Sequence, residues 1–225
     1  NILKSILFLV FIFSPMLLYA QKKQLATARE SLKTGKELVK AEKSMQNLLE
    51  DSVNRTNTKI WVMLCDILMK QYEQGNEKLY LKQQYDTAAF FSVTKRMYET
   101  MAKFDSIDAH LNMPSPVLPK YRERHAQFLN SIRPNLFNGG TYFLHVKDYK
   151  TAYDYFDNYI KTDKQSLFIG YDYEHKDDLM PHAAYWAMYC GYKLGDTEKT
   201  MRYLNLAERD SSMLNFVRQY EASAY

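Results

Sequence analysis

The sequence predicts an all-α protein of antiparallel helix pairs, and three observations support this. Its 225 residues include only seven Gly and six Pro, which leaves few tight turns for a many-stranded protein. In residues 137–162, FNGGTYFLHVKDYKTAYDYFDNYIKT, apolar residues recur at helical spacing on both sides of a polar turn at Lys147-Asp148. The apolar offsets of residues 149–159 also recur in residues 38–48.

The pair at 137–162 has small residues where its helices meet. Gly140 allows the two backbones to approach closely, and Ala152 keeps the crossing point small. Phe156 and Tyr159 return to the face of Ala152 after one further turn each. We therefore expect two short helices folded against each other.

Residues 1–20, NILKSILFLVFIFSPMLLYA, have the layout of a secretory signal peptide. Lys4 precedes an apolar run from Ile6 to Phe13, which Pro15 interrupts before the segment ends at Ala20. The run is short for a membrane-spanning helix, which needs about 20 apolar residues. We expect cleavage after Ala20 and a periplasmic or extracellular protein without a stable membrane span. An uncleaved membrane anchor is the alternative.

Two helix pairs are expected before a proline-rich stretch. The first covers residues 22–53, with Gly35 as the kind of residue that ends a helix. The second covers residues 56–104 and has a polar connector around Gly75, between an apolar first helix and an aromatic-rich second helix.

Proline separates the second pair from the third. The stretch 108–120 contains three prolines, which lack the N–H group that a helix needs, so we expect a linker or capping loop. The third pair, residues 118–162, contains a further helix that Pro134 either kinks or separates from the next helix.

A fourth pair is expected at residues 181–209, after an insertion at 163–180. Pro181 suits the first turn of a helix, and Gly195-Asp196 provides the turn between the two helices. Residues 212–225 begin a further helix of the same kind, and we expect the natural protein to continue beyond it.

The predicted second helices share one small-residue position, occupied by Ala41, Ala88, Ala152 and Thr200. Together with Gly140 three residues before Phe143, the pattern small-x-x-aromatic, turn, Ala-x-x-x-Phe resembles a tetratricopeptide repeat (TPR). The runs NEKLYLKQQYDTAAFF, IRPNLFNGGTYF and AAYWAMYCGYKLGD are similar to secreted TPR proteins of Bacteroidetes.

This resemblance implies an irregular, TPR-like α-solenoid of about four helix pairs over residues 21–225, with a concave groove. It carries over no catalytic residues, because the matching positions are packing positions. The chain departs from the family pattern in its variable connectors and in lacking most of the prolines that end each repeat. The groove is therefore not expected to be regular.

Composition and motifs narrow the function classes. The net charge of +4 comes from 30 basic and 26 acidic residues without a basic block, so we do not expect nucleic-acid binding. Cys65 and Cys190 make no disulfide framework and are expected to be buried apolar residues. The sequence has no GxSxG, HExxH, P-loop or GxGxxG motif. We expect no enzyme, no catalytic residues and no cofactor.

The insertion holds the candidate site. Its His and carboxylate residues, in the run YDYEHKDDLMPH, could bind a metal, but the preferred interpretation is a solvated loop that caps the following helix, with no metal. Phe168, Tyr171 and Tyr173 could form a ligand- or partner-binding rim together with His175. The alternative is that these aromatic side chains hold the insertion against the helices.

Three functions fit such a chain. The first is an exported, non-enzymatic module or scaffold of the bacterial cell envelope that binds a protein or peptide. The second is a binding protein for a carbohydrate or another small ligand. The third is the periplasmic sensor part of a larger signalling protein.

Overall fold

A computed structural model describes residues 20–111 and 118–224 of the chain. All regular structure in this part is helical, without a strand, so the all-α prediction is confirmed. The chain divides into two compact units, residues 1–85 and residues 86–225. We call them the N-terminal and the C-terminal unit.

Several sequence-based expectations concern residues outside the described part. The predicted signal peptide lies there except for Ala20, which is helical. Pro114 and Pro116 of the expected linker also lie there. No helix in the described ranges is both long enough and apolar enough to span a bilayer.

The N-terminal unit contains the helices α1 (residues 20–34), α2 (Leu38–Glu50) and α3 (Thr58–Tyr80). Its α2 packs against α3 through a core that includes Met45 and Ile60, both inaccessible to solvent. Gly35 forms the turn between α1 and α2 with a φ of 69°. Its carbonyl oxygen accepts a hydrogen bond of 2.9 Å from the side chain of Gln74 on α3. The turn is therefore tied to the neighbouring helix.

The polar connector predicted around Gly75 is wrong. Helix α3 continues through Gly75 and ends only at Tyr80. A Cβ atom at Gly75 would lie 2.8 Å from the ring of Tyr85, so the missing side chain makes room for that ring. The glycine serves close packing here and does not end the helix.

The C-terminal unit contains nine α-helices in its described part. They are α4 (Thr87–Leu111), α5 (Arg122–Ile132), α6 (Pro134–His145), α7 (Tyr149–Lys161), α8 (Tyr173–Lys176), α9 (Leu179–Lys193), α10 (Thr197–Met201), α11 (Leu204–Ala207) and α12 (Leu214–Ser223). Two 3₁₀ turns, Thr162–Lys164 and Ser166–Phe168, lie between α7 and α8. Helix α9 packs against α7, α10, α11 and α12, so it is the centre of this unit.

The central pair folds as expected, with α6 packed against α7. The ring of Phe156 lies over Gly140, where a Cβ atom would be 2.7 Å from its Cε1 and Cζ atoms. Ala152 is completely buried. Pro134 is the first residue of α6, so it begins a new helix there.

Both helices of the fourth pair differ from expectation. Helix α9 begins at Leu179, two residues before Pro181, because the Asp177 carboxylate accepts a hydrogen bond of 2.9 Å from the Leu179 N–H. The second helix is interrupted between α10 and α11 at Tyr203, whose φ is −116°. There the Tyr203 hydroxyl donates a hydrogen bond of 2.6 Å to Asp157 on α7.

The third and fourth pairs share one turn geometry. Lys147 and Gly195 have φ values of 62° and 64°, and each follows the first helix of its pair. The N–H groups of Asp148 and Asp196 bond to carbonyl groups five residues back, at 2.9 and 3.0 Å. These are the bonds of a Schellman motif. Both Asp side chains then accept a hydrogen bond from the backbone N–H three residues on, at 3.1 and 2.9 Å.

An Asp at the start of α4 makes the same hydrogen bond, and it changes which residue of α4 corresponds to Ala152. Asp86 accepts a hydrogen bond of 3.1 Å from the backbone N–H of Ala89, so it corresponds to Asp148. The equivalent of Ala152 is therefore Phe90, two residues beyond the predicted Ala88. Phe90 is 5% exposed, so a large side chain fills the place where the central pair has alanine.

Candidate functional site

Two of the three aromatic residues predicted to form the rim are buried in the protein. Phe168 and Tyr173 are 1% and 7% exposed, and their ring centroids are 5.6 Å apart. Tyr171 is partly exposed and His175 is exposed. This burial fits the alternative in which aromatic side chains hold the insertion in place, and it leaves Tyr171 and His175 as the accessible members of the predicted rim.

Arg133 attaches the insertion to the helices. Its guanidinium carbon lies 3.7 Å from the ring centroid of Tyr159 and 3.9 Å from that of Tyr173, so the cation lies between two aromatic rings. Its Nε donates a hydrogen bond of 2.9 Å to the Thr162 hydroxyl, and its Nη1 donates to the Asp177 carboxylate. Arg133 is 5% exposed. The ion pair is therefore largely removed from water.

The tyrosines around Arg133 act as hydrogen-bond donors. The Tyr159 hydroxyl donates to Asp177 at 2.6 Å, and the Tyr173 hydroxyl donates to Asn130 at 2.8 Å. Burial raises the pKa of Tyr159, and its hydrogen bond to Asp177 raises that pKa further. Burial also raises the pKa of Tyr173. Both hydroxyls stay protonated at neutral pH and satisfy their acceptors, which suits a structural role.

The two histidines of the predicted metal-binding run line the same cleft but contact different carboxylates. His175 contacts Asp172 through Nδ1 at 2.6 Å, whereas His182 contacts Asp210 through Nδ1 at 2.7 Å. In residues 20–111 and 118–224, no three His, Cys, Asp or Glu side chains converge in a way that could hold a metal ion.

A different group of aromatic side chains forms a continuous surface on α6, α9 and α12. We call this group the aromatic surface; its members are Phe137, His182, Trp186, Tyr189, Tyr192 and Tyr220. Successive ring centroids in the order Phe137, His182, Trp186, Tyr189, Tyr220, Tyr192 are 6.0, 5.8, 5.7, 5.8 and 4.8 Å apart. Tyr192 is 41% exposed, and the other members are partly exposed.

The spacing of residues along α9 creates this surface. His182, Trp186 and Tyr189 follow each other at intervals of four and three, so they share one helix face. The packed side carries both small and large residues, and Ala183, Ala187 and Met188 are completely buried. The buried alanines let neighbouring helices approach α9, while the rings of Trp186 and Tyr189 stay partly accessible.

A polar cleft of about 540 Å³ adjoins the aromatic surface at His182, which lines both. Its wall carries the carboxylates of Glu174, Asp177, Asp178 and Asp210, together with Arg209. The surface and the cleft therefore offer aromatic rings at one place and a group of carboxylates beside them.

The sequence pattern predicted α9 with a start two residues too late, and its aromatic face was overlooked. The signal was present in HAAYWAMYCGYKL, where alanines alternate with large rings at helical spacing. Tyr220 could not be assigned to the same surface, because its contacts with Tyr189 and Tyr192 depend on how α12 packs on α9.

Comparison with protein-family models, with curated proteins and with solved structures found no match for this chain. The resemblance to TPR proteins thus rests on the residues quoted above.

Proposed function

We propose that this chain is an exported, non-enzymatic interaction module of the bacterial cell envelope, built from TPR-like repeats in an α-solenoid, and that it binds a protein segment. The signal-like residues 1–20 support export. The turn geometry shared by Lys147 and Gly195 supports the repeat interpretation.

The binding proposal rests on the aromatic surface. Contiguous aromatic side chains that stay partly accessible are enriched at protein interfaces, where Trp and Tyr supply large contact areas at a low entropic cost. The rings of Trp186 and Tyr189 are held on a central helix of the unit. A partner would meet a surface that is already ordered.

Selection from a random peptide display library, with residues 21–225 as the immobilised protein, tests this function. We expect enriched peptides whose binding is lost in Trp186→Ala, because this change removes the ring at the middle of the surface. Truncation of a central aromatic contact typically costs 2 kcal/mol or more of binding energy, or roughly 30-fold in affinity.

Tyr80→Ala is the matched control. Tyr80 is 83% exposed on α3 and lies outside the aromatic surface, so this variant should keep the affinity of the wild type. Selected peptides that bind wild type and Trp186→Ala equally well would refute the assignment of binding to this surface.

Binding of a carbohydrate is the second candidate function. Tyr192 and Tyr220 stack with centroids 4.8 Å apart, and Tyr192 is 41% exposed, so part of an aromatic ring is open to an apolar sugar face. A glycan array probed with wild type and with Tyr192→Ala tests this function. Signals that the substitution leaves unchanged would argue against it.

A further inference from the structure

We propose that the aromatic surface and its adjoining cleft bind a cationic, apolar peptide segment, with a Lys or Arg side chain in the cleft and apolar side chains on the rings. The inference rests on the proposed function and names the chemistry of the partner. Three observations carry it: the carboxylates of the cleft, the contacts that cations already make in this unit, and the position of His182.

Carboxylates outnumber cations on the wall of the cleft. Three of these carboxylates already have a partner: Asp177 pairs with Arg133, Glu174 pairs with Lys164 at 2.6 Å and with Arg209 at 3.8 Å, and Asp210 contacts His182 at 2.7 Å. Asp178 is exposed and makes no ion pair within the described ranges. A carboxylate without an ion pair beside an aromatic surface is complementary to a cation, and charge complementarity gives an interface its specificity.

Cationic side chains of the C-terminal unit already pack against aromatic rings in this manner. Arg133 lies between the rings of Tyr159 and Tyr173 and is bonded to Asp177, which also lines the cleft. On the aromatic surface itself, the Lys193 ammonium lies 5.5 Å from the ring centroid of Tyr189. Ring faces of Trp and Tyr attract cations electrostatically.

The position of His182 allows one ligand to use both regions. Its ring lies 5.8 Å from Trp186, and its Nδ1 is 2.7 Å from an oxygen of Asp210 in the cleft. A peptide that packs apolar side chains on Trp186 can therefore place a neighbouring cation among the carboxylates. The net charge of +4 of the whole chain opposes this only weakly, because salt screens charges beyond about 8–10 Å at physiological ionic strength.

Fluorescence of Trp186 tests the proposal with defined peptides. The chain has two tryptophans, and Trp61→Phe leaves Trp186 as the only one, so changes in emission report on the aromatic surface. The probes are acetylated and amidated peptides of the sequence GKLGKLGKLG and its counterparts with Gln or Glu at every Lys position. Isothermal titration calorimetry with the unsubstituted protein gives a second measurement that does not depend on Trp61→Phe.

We expect the Lys peptide to bind at least about tenfold more tightly than the Gln peptide, and the Glu peptide to bind most weakly. Affinity for the Lys peptide should fall in about 0.5 M NaCl. Asp178→Asn should weaken it about two- to fivefold, as for an exposed ion pair, while leaving the Gln peptide unaffected. Asp51→Asn, an exposed carboxylate in the N-terminal unit, is the matched control and should have no effect.

Other outcomes overturn the inference in distinguishable ways. If the Gln or Glu peptide binds as well as the Lys peptide, and binding is lost in Trp186→Ala, the cationic preference is wrong and the proposed function stands. Lys-peptide binding that persists in Trp186→Ala places the cation site elsewhere. Absence of binding up to about 1 mM, or quenching by a neutral oligosaccharide alone, also refutes the cationic peptide. The display selection separately decides whether the surface binds peptides at all.

Discussion

Arg133→Met should be among the most destabilising single substitutions in the C-terminal unit. Arg133 and Asp177 are an ion pair whose side chains are only 6% and 17% exposed. Removing one member of a buried pair leaves an uncompensated charge and typically costs 3–5 kcal/mol. Asp177 keeps its hydrogen bonds from Tyr159 and Leu179, so we expect the lower end, about 3 kcal/mol.

Urea unfolding followed by far-UV circular dichroism measures this loss. The double variant Arg133→Met/Asp177→Asn also removes the remaining charge, so it should be more stable than Arg133→Met alone. Lys164→Met is the control; the ammonium of Lys164 is solvent-accessible, and its loss should leave the unfolding transition unchanged. A free energy of unfolding for Arg133→Met within about 1 kcal/mol of wild type would refute a structural role for the pair.

Three further predictions concern packing, pH and metal. Ala152→Trp should lower the free energy of unfolding by about 1–3 kcal/mol or more, because the larger side chain overpacks a completely buried position. Ala222→Trp, at an exposed position of a helix, is the control and should not lower it. Equal melting temperatures of Ala152→Trp and wild type would show that the assigned helix contact is wrong. Burial lowers the pKa of His125 from 6.5 to about 4. Between pH 6.5 and about 4, the unfolded state therefore binds more protons than the folded state. The free energy of unfolding should fall by up to about 3 kcal/mol as the pH drops through this range. His125→Phe should flatten that part of the stability profile, and an unchanged profile would contradict the assignment. EDTA should leave the melting temperature of protein incubated with divalent metal unchanged; a clear decrease would point to a metal at the loop of His175.

The central helix pair could be predicted because its signals are local. Gly140 and Phe156 mark the contact between α6 and α7, and the polar turn at Lys147-Asp148 marks the boundary between them. Helix spacing and turn residues depend on neighbours within a few positions, so the sequence alone reveals them.

Features set by distant contacts were predicted poorly. In the sequence, Gly75 resembles a residue that ends a helix, whereas in the structure it makes room for the ring of Tyr85. Tyr203 interrupts the second helix of the fourth pair where its hydroxyl reaches Asp157, 46 residues earlier. Neither contact leaves a periodic trace in the sequence.

The candidate site shows the same division. The aromatic residues of the insertion are close together in sequence and were predicted to form a rim, yet Phe168 and Tyr173 are buried. The accessible rings on α9 were visible as a periodic face, but their junction with Tyr220 required the packing of α12. The sequence therefore contains the aromatic residues of the surface, but their common location depends on how the helices pack.

The two cysteines give each unit its own reporter of opening. Cys65 lies in the N-terminal unit and Cys190 in the C-terminal unit, both are completely buried, and they are not joined in a disulfide. Burial raises the pKa of Cys190 to about 12, so its thiol stays protonated and unreactive until the unit opens. Labelling rates of Cys65→Ala and Cys190→Ala in dilute urea therefore give a separate opening free energy for each unit. Equal values would mean that the two units unfold together, and different values that each opens by itself.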